Sequence, residues 1–346
     1  MSENQLYAEV AKAYRHRKRL VAPLVGFPGV RLTGTTIKLA QQNAEEHIRV
    51  LEELAGEFAP DVMFPLMDLT VEANALGAYT DFPVNESATV PKQDFDFHAM
   101  DRLSSIDLRR DGRVWSYAET VRLMNERLPD DIIRGAYVSG PYTVAGQLVG
   151  ADEAAMYSIT HQEELTDLCR LCNDAILEYV EVLIGSGAQL ICVLEPSAMM
   201  LGPGQFESFS GAFLEEIVHR CNRSDVQSVL HICGDTMHLL KGMVNTGVDG
   251  LSLDSPDTGM DFTEVLSTVP ENMVIIGNVN PATTMLNGSP DEVNQTVTQL
   301  LESMEPFPNF VLSTGCDLPL ETPLENIHEF METGRGYVLQ HATPGE

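Results

Sequence analysis

Apolar residues along the chain fall into two alternating patterns. Short runs rich in Val, Ile and Leu are separated by longer segments in which apolar residues recur every three or four positions. The short runs favour buried strands and the longer pattern favours helices, so their alternation is typical of a parallel sheet covered by helices. Eight runs are predicted to be strands: residues 20–25, 62–67, 135–139, 190–194, 229–233, 250–253, 273–276 and 310–313. Eight such strands predict an α/β fold of the (β/α)8 TIM-barrel class.

The segments between the strands have helical spacing. One of them places apolar side chains at steps of three and four: Phe206, Phe209, Phe213, Ile217 and Cys221. Residues 34–57 and 291–304 are also predicted to be helices. The polar stretch 80–114 is longer than an ordinary connection, and we expect a loop or short helices there. The sequence predicts a single domain over residues 1–346, with the barrel at about 20–340 and an N-terminal helical extension before it.

The chain is strongly acidic. Among its 346 residues, 51 Asp and Glu stand against 21 Lys and Arg, which gives a formal net charge of −30. This balance argues against nucleic-acid and membrane partners, because such surfaces need a basic patch. No apolar run approaches the ~20 residues that cross a bilayer. The N-terminal segment lacks the apolar centre of a signal peptide, so the sequence predicts a cytoplasmic protein.

Three metal-ligand residues stand at the ends of predicted strands, where a TIM barrel carries its functional groups. His231 and Cys233 end the fifth strand, and residues two apart on a strand point to the same face. Cys316 follows the eighth strand, which barrel closure brings towards the same centre. One imidazole and two thiolates suit Zn²⁺, and three protein ligands leave a fourth position open, as in catalytic zinc sites. We therefore predict that these three residues form a catalytic zinc site.

Two carboxylates at strand ends have two interpretations each. Asp254 follows the sixth strand, where it is either a removable fourth zinc ligand or the N-terminal cap of a helix in Asp-Ser-Pro-Asp. Glu195 ends the fourth strand. It either supports His231 or the substrate, or it is a buried carboxylate paired within the barrel.

Further polar residues follow the strands and are predicted to line the barrel mouth, where they would contact the cofactor or substrate. They are Asp68, Tyr142, Asn278 and Asn280. Tyr142 belongs to a Gly-Pro-Tyr-Thr turn, which can present backbone N–H groups to a pocket. Asp68 has a second interpretation, as the cap of a helix.

The other cysteines and histidines are predicted to be structural. Cys169 and Cys172 form a CxxC, but both lie on the apolar stripe of a helix, and Cys221 lies on that of another. Cys192 alternates away from Glu195, so we expect it to face the helix layer. The cysteine spacing shows no disulfide framework. The remaining histidines are predicted to be surface or capping groups: His16, His47, His98, His161, His219, His238, His328 and His341.

Several phrases make the chain resemble the uroporphyrinogen decarboxylase superfamily from about residue 21 to the C-terminus. They are PLMDLTVEANALG at 65–77, SGPYTVAGQL, EPSAMM, HICGD, GNVNP and STGCDLPLETPLENI. The H-x-C motif with a distant third Cys is similar to one branch, which contains the methylcobalamin:coenzyme M methyltransferases and a related methyltransferase of bacterial chloromethane use. The resemblance implies a TIM barrel, a zinc site at His231, Cys233 and Cys316, and methyl transfer.

The chain departs from true uroporphyrinogen decarboxylases near its N-terminus. Those enzymes resemble one another in an MRQAGR-like segment, whose arginine helps hold the substrate's carboxylates. Residues 23–31 read PLVGFPGVR instead. A substrate that carries many carboxylates is also a poor match for a chain with a formal net charge of −30. Arg31 is, by position alone, the candidate for binding a sulfonate on the methyl acceptor.

We therefore predict zinc-dependent transfer of a methyl group from a methylated corrinoid to a thiol such as coenzyme M. Zinc would stabilise the thiolate, which attacks the methyl group on cobalt, so that the Co–C bond breaks and Co(I) is left. The corrinoid, as methylcobalamin or bound to a separate corrinoid protein, would be a co-substrate. Two alternatives stay open. One is a metal-free decarboxylase of a porphyrinogen in which Asp68 is the key group, and the other is a non-catalytic corrinoid-handling protein.

Overall fold

The predicted apolar runs form a parallel sheet whose strands lie side by side in chain order. The structure, a computed structural model, describes residues 4–340. Its strands are β1 (Val62–Met63), β2 (Ile133–Ser139), β3 (Leu190–Leu194), β4 (Gln227–Ile232), β5 (Gly250–Leu253), β6 (Val274–Val279) and β7 (Phe310–Thr314). Every neighbouring pair from β1 to β7 is parallel. Parallel neighbours need crossover connections, and helices provide them here.

The first predicted strand, residues 20–25, is reduced to an isolated parallel bridge between Val21 and Leu312 of β7. The Ala22 N–H donates to the Leu312 carbonyl at 2.8 Å, and the Asp61 N–H donates to the Val21 carbonyl at 3.0 Å. This segment therefore hydrogen-bonds both to the last strand and to the residue that precedes β1. Pro23 follows at once and has no N–H to extend the pairing. Seven of the eight predicted strands are confirmed.

Helices cover the sheet. They are α1 (Gln5–Arg15), α2 (Gly29–Thr33), α3 (Ile37–Gln42), α4 (Ala44–Phe58), α5 (Val71–Ala75), α6 (Met100–Leu103), α7 (Gly112–Arg127), α8 (Pro141–Val149), α9 (Ala151–Thr160), α10 (Gln162–Gly185), α11 (Pro203–Phe206), α12 (Ala212–Asn222), α13 (Leu240–Asn245), α14 (Phe262–Thr268), α15 (Pro290–Ser303) and α16 (Leu324–Gly336). π-Helical turns cover Glu207–Gly211 and Pro281–Leu286. Within residues 4–340, no helix combines the length and apolarity needed to span a bilayer.

Capping side chains set two of the predicted helix boundaries. The predicted helix 34–57 is interrupted at Asn43, which ends α3 with extended backbone and accepts the Glu46 N–H at 3.1 Å to begin α4. The predicted helix 291–304 is α15, which Ser289 and Glu292 begin with a reciprocal capping box. The long connection 80–114 contains short helices, as expected, and ends in the first turn of α7.

The interior of the curled sheet is a separate apolar cluster. Tyr137, Leu190 and Val229 lie in it, and α1 adds Leu6 and Val10. The N–H of Leu6 donates to the side chain of Gln227 at the start of β4, at 3.1 Å. The predicted N-terminal helical extension therefore covers the end of the sheet at which the strands begin. That leaves the opposite edge, where the strands end, for polar side chains.

Two side chains, one on β3 and one just after it, point to the opposite side of the sheet from the side that the sequence predicted. Cys192 lies in the interior cluster with Leu190 and Leu194. Glu195 is one residue further on and points into the helix layer, where it contacts α8 and Ser210. The prediction that Cys192 faces the helices was wrong because it assumed that Glu195 faces inwards, and alternation then reversed both residues.

His47 is not the surface or capping group that was expected. Its side chain is 0% exposed, and its Nε2 accepts the N–H of Leu66 at 2.8 Å. Helical spacing places it on the apolar face of α4 with Leu51 and Leu54. Burial lowers the pKa of His47 from 6.5 to about 3. His341 lies outside the described residues.

Replacing His47 with Gln should weaken the dependence of stability on acid. In the wild type, His47 takes up a proton near pH 6.5 when unfolded but only near pH 3 when folded. Between those values the unfolded state binds more protons, so the free energy of unfolding falls as the pH falls. Linkage gives about 2 kcal/mol from this group between about pH 7.5 and pH 5.

Urea unfolding of both proteins at these two pH values measures the difference. We expect the stability gap between wild type and His47→Gln to shrink by that amount on acidification. His219→Gln, at an exposed position on α12, is the control and should leave the pH dependence unchanged. A gap that is equal at both pH values contradicts the assignment.

Candidate functional site

Three soft donor atoms meet at the edge of the sheet where the strands end. His231 Nε2 lies 3.1 Å from Cys233 Sγ, which lies 3.6 Å from Cys316 Sγ. All three atoms lie within 4.8 Å of one another, and no other such group of His, Cys, Asp or Glu is found among residues 4–340. Tetrahedral zinc with bonds of about 2.0–2.3 Å separates its ligand atoms by roughly 3.3–3.8 Å. The donor set and its spacing therefore fit zinc with a fourth position left over.

Two strands and one glycine bring these atoms together. His231 lies on β4 on the same face as the interior residue Val229, and Cys233 is the first residue after that strand. Cys316 lies in the loop after β7. A Cβ atom on Gly315 would lie 2.7 Å from the nitrogen of Ser255 and 3.1 Å from the carbonyl carbon of Asp254. Only glycine allows the loop after β7 to pass this close to the backbone of the loop after β5.

Ser252 orients the imidazole and was missed in the sequence. Its hydroxyl lies 3.0 Å from His231 Nδ1, and the two residues are paired in register between β4 and β5. With Nδ1 engaged, the other ring nitrogen, Nε2, faces the two cysteines. A signal was available, because Ser252 lies two residues before Asp254 and alternation puts both on the same face.

Asp254 supports the site through the backbone. Its Oδ2 accepts the Gly234 N–H at 2.8 Å, and its Oδ1 accepts the Ser255 N–H at 2.6 Å. Neither oxygen belongs to the group of three ligand atoms. The helical turn that follows begins after Ser255. The carboxylate thus holds the loop that carries Cys233, and its predicted role as a fourth ligand stays a prediction.

The pKa values of His231 and Cys316 reflect burial and the contacts that these residues make. Burial alone would lower the pKa of His231, but its contact with Cys316 and the charge of Asp254 raise that pKa above its ordinary value. The contact with Cys233 and burial raise the pKa of the Cys316 thiol. Burial and Cys316 raise the pKa of the adjacent Asp317 well above its ordinary range. A metal ion must displace thiol protons to bind here.

Glu195 and Tyr142 lie behind the site, in the helix layer. The Glu195 carboxylate is fully buried and accepts the N–H groups of Tyr142 and Thr143, both at 2.9 Å, and the hydroxyl of Ser210 at 2.8 Å. Of the two roles that the sequence left open for Glu195, these contacts match the buried, paired carboxylate. The carboxylate makes no hydrogen bond to the His231 imidazole, whose Nδ1 lies against Ser252. Burial raises the pKa of Glu195. Tyr142 is 0% exposed, and its hydroxyl has no partner among the described residues.

Asn278 and Asn280 connect the loops beside the site. Asn278 donates from Nδ2 to the carbonyl of Asp254 at 3.0 Å. Asn280 accepts the N–H groups of Ala282 and Thr283, both at 2.8 Å, and donates to Asp257 at 2.6 Å. Asn280 therefore caps the π-helical turn Pro281–Leu286, while Asn278 lies against the loop that supports Cys233.

Asp68 forms a buried ion pair. Its Oδ2 pairs with Arg113 and accepts the hydroxyl of Tyr117 at 3.2 Å, and its Oδ1 accepts the N–H of Thr70 at 2.9 Å. The Arg113 guanidinium also lies 4.8 Å from the centre of the Phe82 ring. Both oxygens of this carboxylate are engaged by neighbours in the protein.

Known proteins are similar to this chain in sequence and in fold. Methylcobamide:CoM methyltransferase MtbA of Methanosarcina acetivorans is 28% identical over 240 residues, covering 69% of this chain and 68% of that protein. Uroporphyrinogen decarboxylase of Parasynechococcus marenigrum is 24% identical over 290 residues, covering 81% and 80%. A structure described as a methyltransferase from Methanosarcina mazei matches with a TM-score of 0.85 at 22% identity, over 96% of this chain and 98% of that one.

The family assignment rests on most of the chain. The family model for uroporphyrinogen decarboxylase (URO-D) matches residues 27–337. The resemblance predicted from the sequence motifs is thereby confirmed, and the relatives include both decarboxylases and methylcobamide:CoM methyltransferases. This chain belongs to the uroporphyrinogen decarboxylase family.

Proposed function

We propose that this protein is a zinc-dependent methyltransferase that moves a methyl group from a methylated corrinoid to a thiol. The observation that carries the proposal is the convergence of His231, Cys233 and Cys316 at the end of the sheet. A decarboxylase has no evident use for two thiols and an imidazole within 4.8 Å of one another. The similarity to methylcobamide:CoM methyltransferases supports the same reaction class.

Zinc would be held by His231 Nε2, Cys233 Sγ and Cys316 Sγ. Zinc bound in this way supplies a Lewis acid that favours the thiolate form of an acceptor at the remaining position. The site lies at the edge of the sheet opposite the end that α1 covers, and we propose that the corrinoid approaches from this side. We propose that a separate corrinoid protein presents it.

The residues of this chain align and support the reacting groups. Ser252 keeps Nδ1 of His231 occupied, so the ring cannot turn its other nitrogen away from the cysteines. Asp254 holds the Gly234 N–H and thereby the loop after β4. Such fixed positioning lowers the entropic cost of bringing a sulfur nucleophile and a methyl donor together.

We further propose that the segment around Val21 occupies the eighth position of a (β/α)8 barrel in one domain. Its hydrogen bonds to Leu312 and from Asp61 link β7 to the start of β1 and support this interpretation. Closure matters for the site because it fixes the distance between the ends of β4 and β7. Asp254 remains a candidate for the fourth zinc ligand when no substrate is bound.

The decarboxylase alternative depends on Asp68. That carboxylate is held by Arg113, Tyr117 and Thr70. Arg113 is therefore already neutralised and is not free to bind the carboxylates of a porphyrinogen. The contacts of Asp68 favour a structural role and leave the metal-ligand group as the basis for function.

The direct test is the loss of methylcobalamin absorbance in the presence of thiols, together with zinc content by mass spectrometry. The wild type should hold one zinc per chain and demethylate methylcobalamin. Cys233→Ala should lose most of the zinc and the activity, because two ligands bind zinc far more weakly than three. Cys221→Ala, which removes a buried thiol on α12, should retain both.

A metal-free wild type that decarboxylates a porphyrinogen would contradict the proposal. Corrinoid binding that survives Cys316→Ala, without turnover in either protein, would instead favour the non-catalytic alternative.

Ser252→Ala should weaken zinc binding about 10–100-fold, because the imidazole loses the partner that orients it. Competition with a chelator measures this affinity. Ser252→Thr keeps the hydroxyl and should recover much of the loss. Ser228→Ala is the matched control, since it removes a buried serine of β4 that contacts Asp249. Equal zinc affinity in wild type and Ser252→Ala would exclude the positioning role.

A further inference from the structure

Several carboxylates belong to the loops that form the candidate metal site. Asp235 lies two residues after Cys233, and Asp317 directly follows Cys316. Asp254 reaches the loop after β4 through the Gly234 N–H, and Asp257 follows in the same loop as Asp254. The loops after β4 and β5 therefore bring negative charge towards the place where a thiol acceptor would bind.

The part of the chain that forms β5, β6 and β7 contains no basic side chain of lysine or arginine. Neither lysine nor arginine occurs between Lys241 and Arg335. This interval contains β5, β6 and β7 with all the loops that follow them. These three strands can therefore contribute no cation to bind a sulfonate, carboxylate or phosphate on the acceptor.

The arginines predicted or observed near the mouth are engaged elsewhere. Arg31, the sequence candidate for binding a sulfonate, donates from Nη1 to the carbonyls of Thr322 at 2.8 Å and Leu320 at 3.3 Å. Arg113 pairs with Asp68. Recruiting Arg113 for an anionic acceptor would break its ion pair with Asp68, and Nη1 of Arg31 is already held by two carbonyl groups.

Backbone N–H groups, the other common anion ligands, are also taken at this edge. The first N–H groups of α8 donate to the carboxylate of Glu195. Those of the π-helical turn Pro281–Leu286 donate to Asn280. An anion at either position would have to displace an acceptor supplied by the protein.

A cavity of about 420 Å³ is lined by a residue that carries a buried acceptor atom. It lies between the ends of β5 and β6 and α15, and its lining includes Asp257, Asn278, Thr284 and Gln299. Asn278 is 1% exposed, and its Oδ1 has no partner among the described residues. Its Nδ2 is held by the carbonyl of Asp254, so Oδ1 is the atom left to receive a hydrogen bond. A buried acceptor without a partner is costly and favours a ligand that donates.

We propose that the thiol acceptor carries no negative charge and presents a hydrogen-bond donor, as a hydroxyl or an ammonium group does. This inference rests on the proposed methyl transfer and narrows its substrate class. It separates the protein from enzymes that use a thiol bearing a sulfonate, such as coenzyme M. Repulsion by the carboxylates disfavours an anionic acceptor, and the cavity beside Asn278 receives the donor group.

Three thiols of one chain length test the proposal: 2-mercaptoethanol, 2-aminoethanethiol and 2-mercaptoethanesulfonate. Each is titrated into the cobalt(II)-substituted full-length protein, and its dissociation constant is read from the sulfur-to-cobalt charge-transfer band. We expect the sulfonate to bind at least tenfold more weakly than the neutral thiol. Added salt should narrow the gap, because it screens the repulsion.

Two variants test whether Asp257 causes the weaker binding of the sulfonate. Asp257→Asn removes one negative charge that lines the cavity and should reduce the discrimination against the sulfonate several-fold. Asp291→Asn removes an exposed carboxylate from the first turn of α15 and should leave it unchanged.

The outcomes separate this inference from the proposed function. Equal or tighter binding of the sulfonate overturns the inference while leaving methyl transfer intact. Failure of all three thiols to perturb the cobalt spectrum contradicts the proposed function itself, and this inference with it.

Discussion

The candidate site depends on the close passage of the loop after β7 against the backbone of the loop after β5. Gly315 makes this passage possible, since a side chain there would meet the backbone of Asp254 and Ser255. Cys316 is the next residue and is thereby brought to Cys233, although the two lie far apart in sequence. Asp254 then uses its carboxylate to hold the loop after β4 from the other side. Gly315 and the Asp254 carboxylate therefore fix the relative positions of the loops after β4, β5 and β7.

In this arrangement one set of residues supplies the candidate metal ligands, and another set holds those residues in position. The donor atoms of His231, Cys233 and Cys316 remain free to face one point, because the surrounding polar contacts are made by Ser252 and Asp254. The buried carboxylate of Asp68 is likewise paired, with Arg113. Burial of such groups without partners would cost several kcal/mol. Asn278 Oδ1 is one of several buried polar atoms that lack such a partner among the described residues.

Much of the fold and the centre of the site could be predicted from the sequence, because both depend on simple patterns. Apolar runs identified seven strands, and His231 and Cys233 share a face by strand alternation. Supporting residues were harder to predict. Ser252 is an ordinary residue type whose role depends on its register with His231, which only strand pairing sets.

The errors have physical causes as well. Cys192 and Glu195 were assigned to the wrong faces because alternation gives relative directions and no absolute one. His47 was expected at the surface because it is polar, but its position on the apolar face of α4 buries it. Proline after Ala22 limits the first predicted strand to a bridge, which a run of apolar residues does not indicate.

The central claim is that these three residues hold zinc and leave one position for the sulfur of an acceptor. X-ray absorption at the zinc edge counts the sulfur neighbours of the metal directly. We expect two sulfurs without thiol and three with a saturating neutral thiol, together with one nitrogen throughout. Zinc without sulfur neighbours, or a sulfur count that stays the same when thiol is added, would contradict the account.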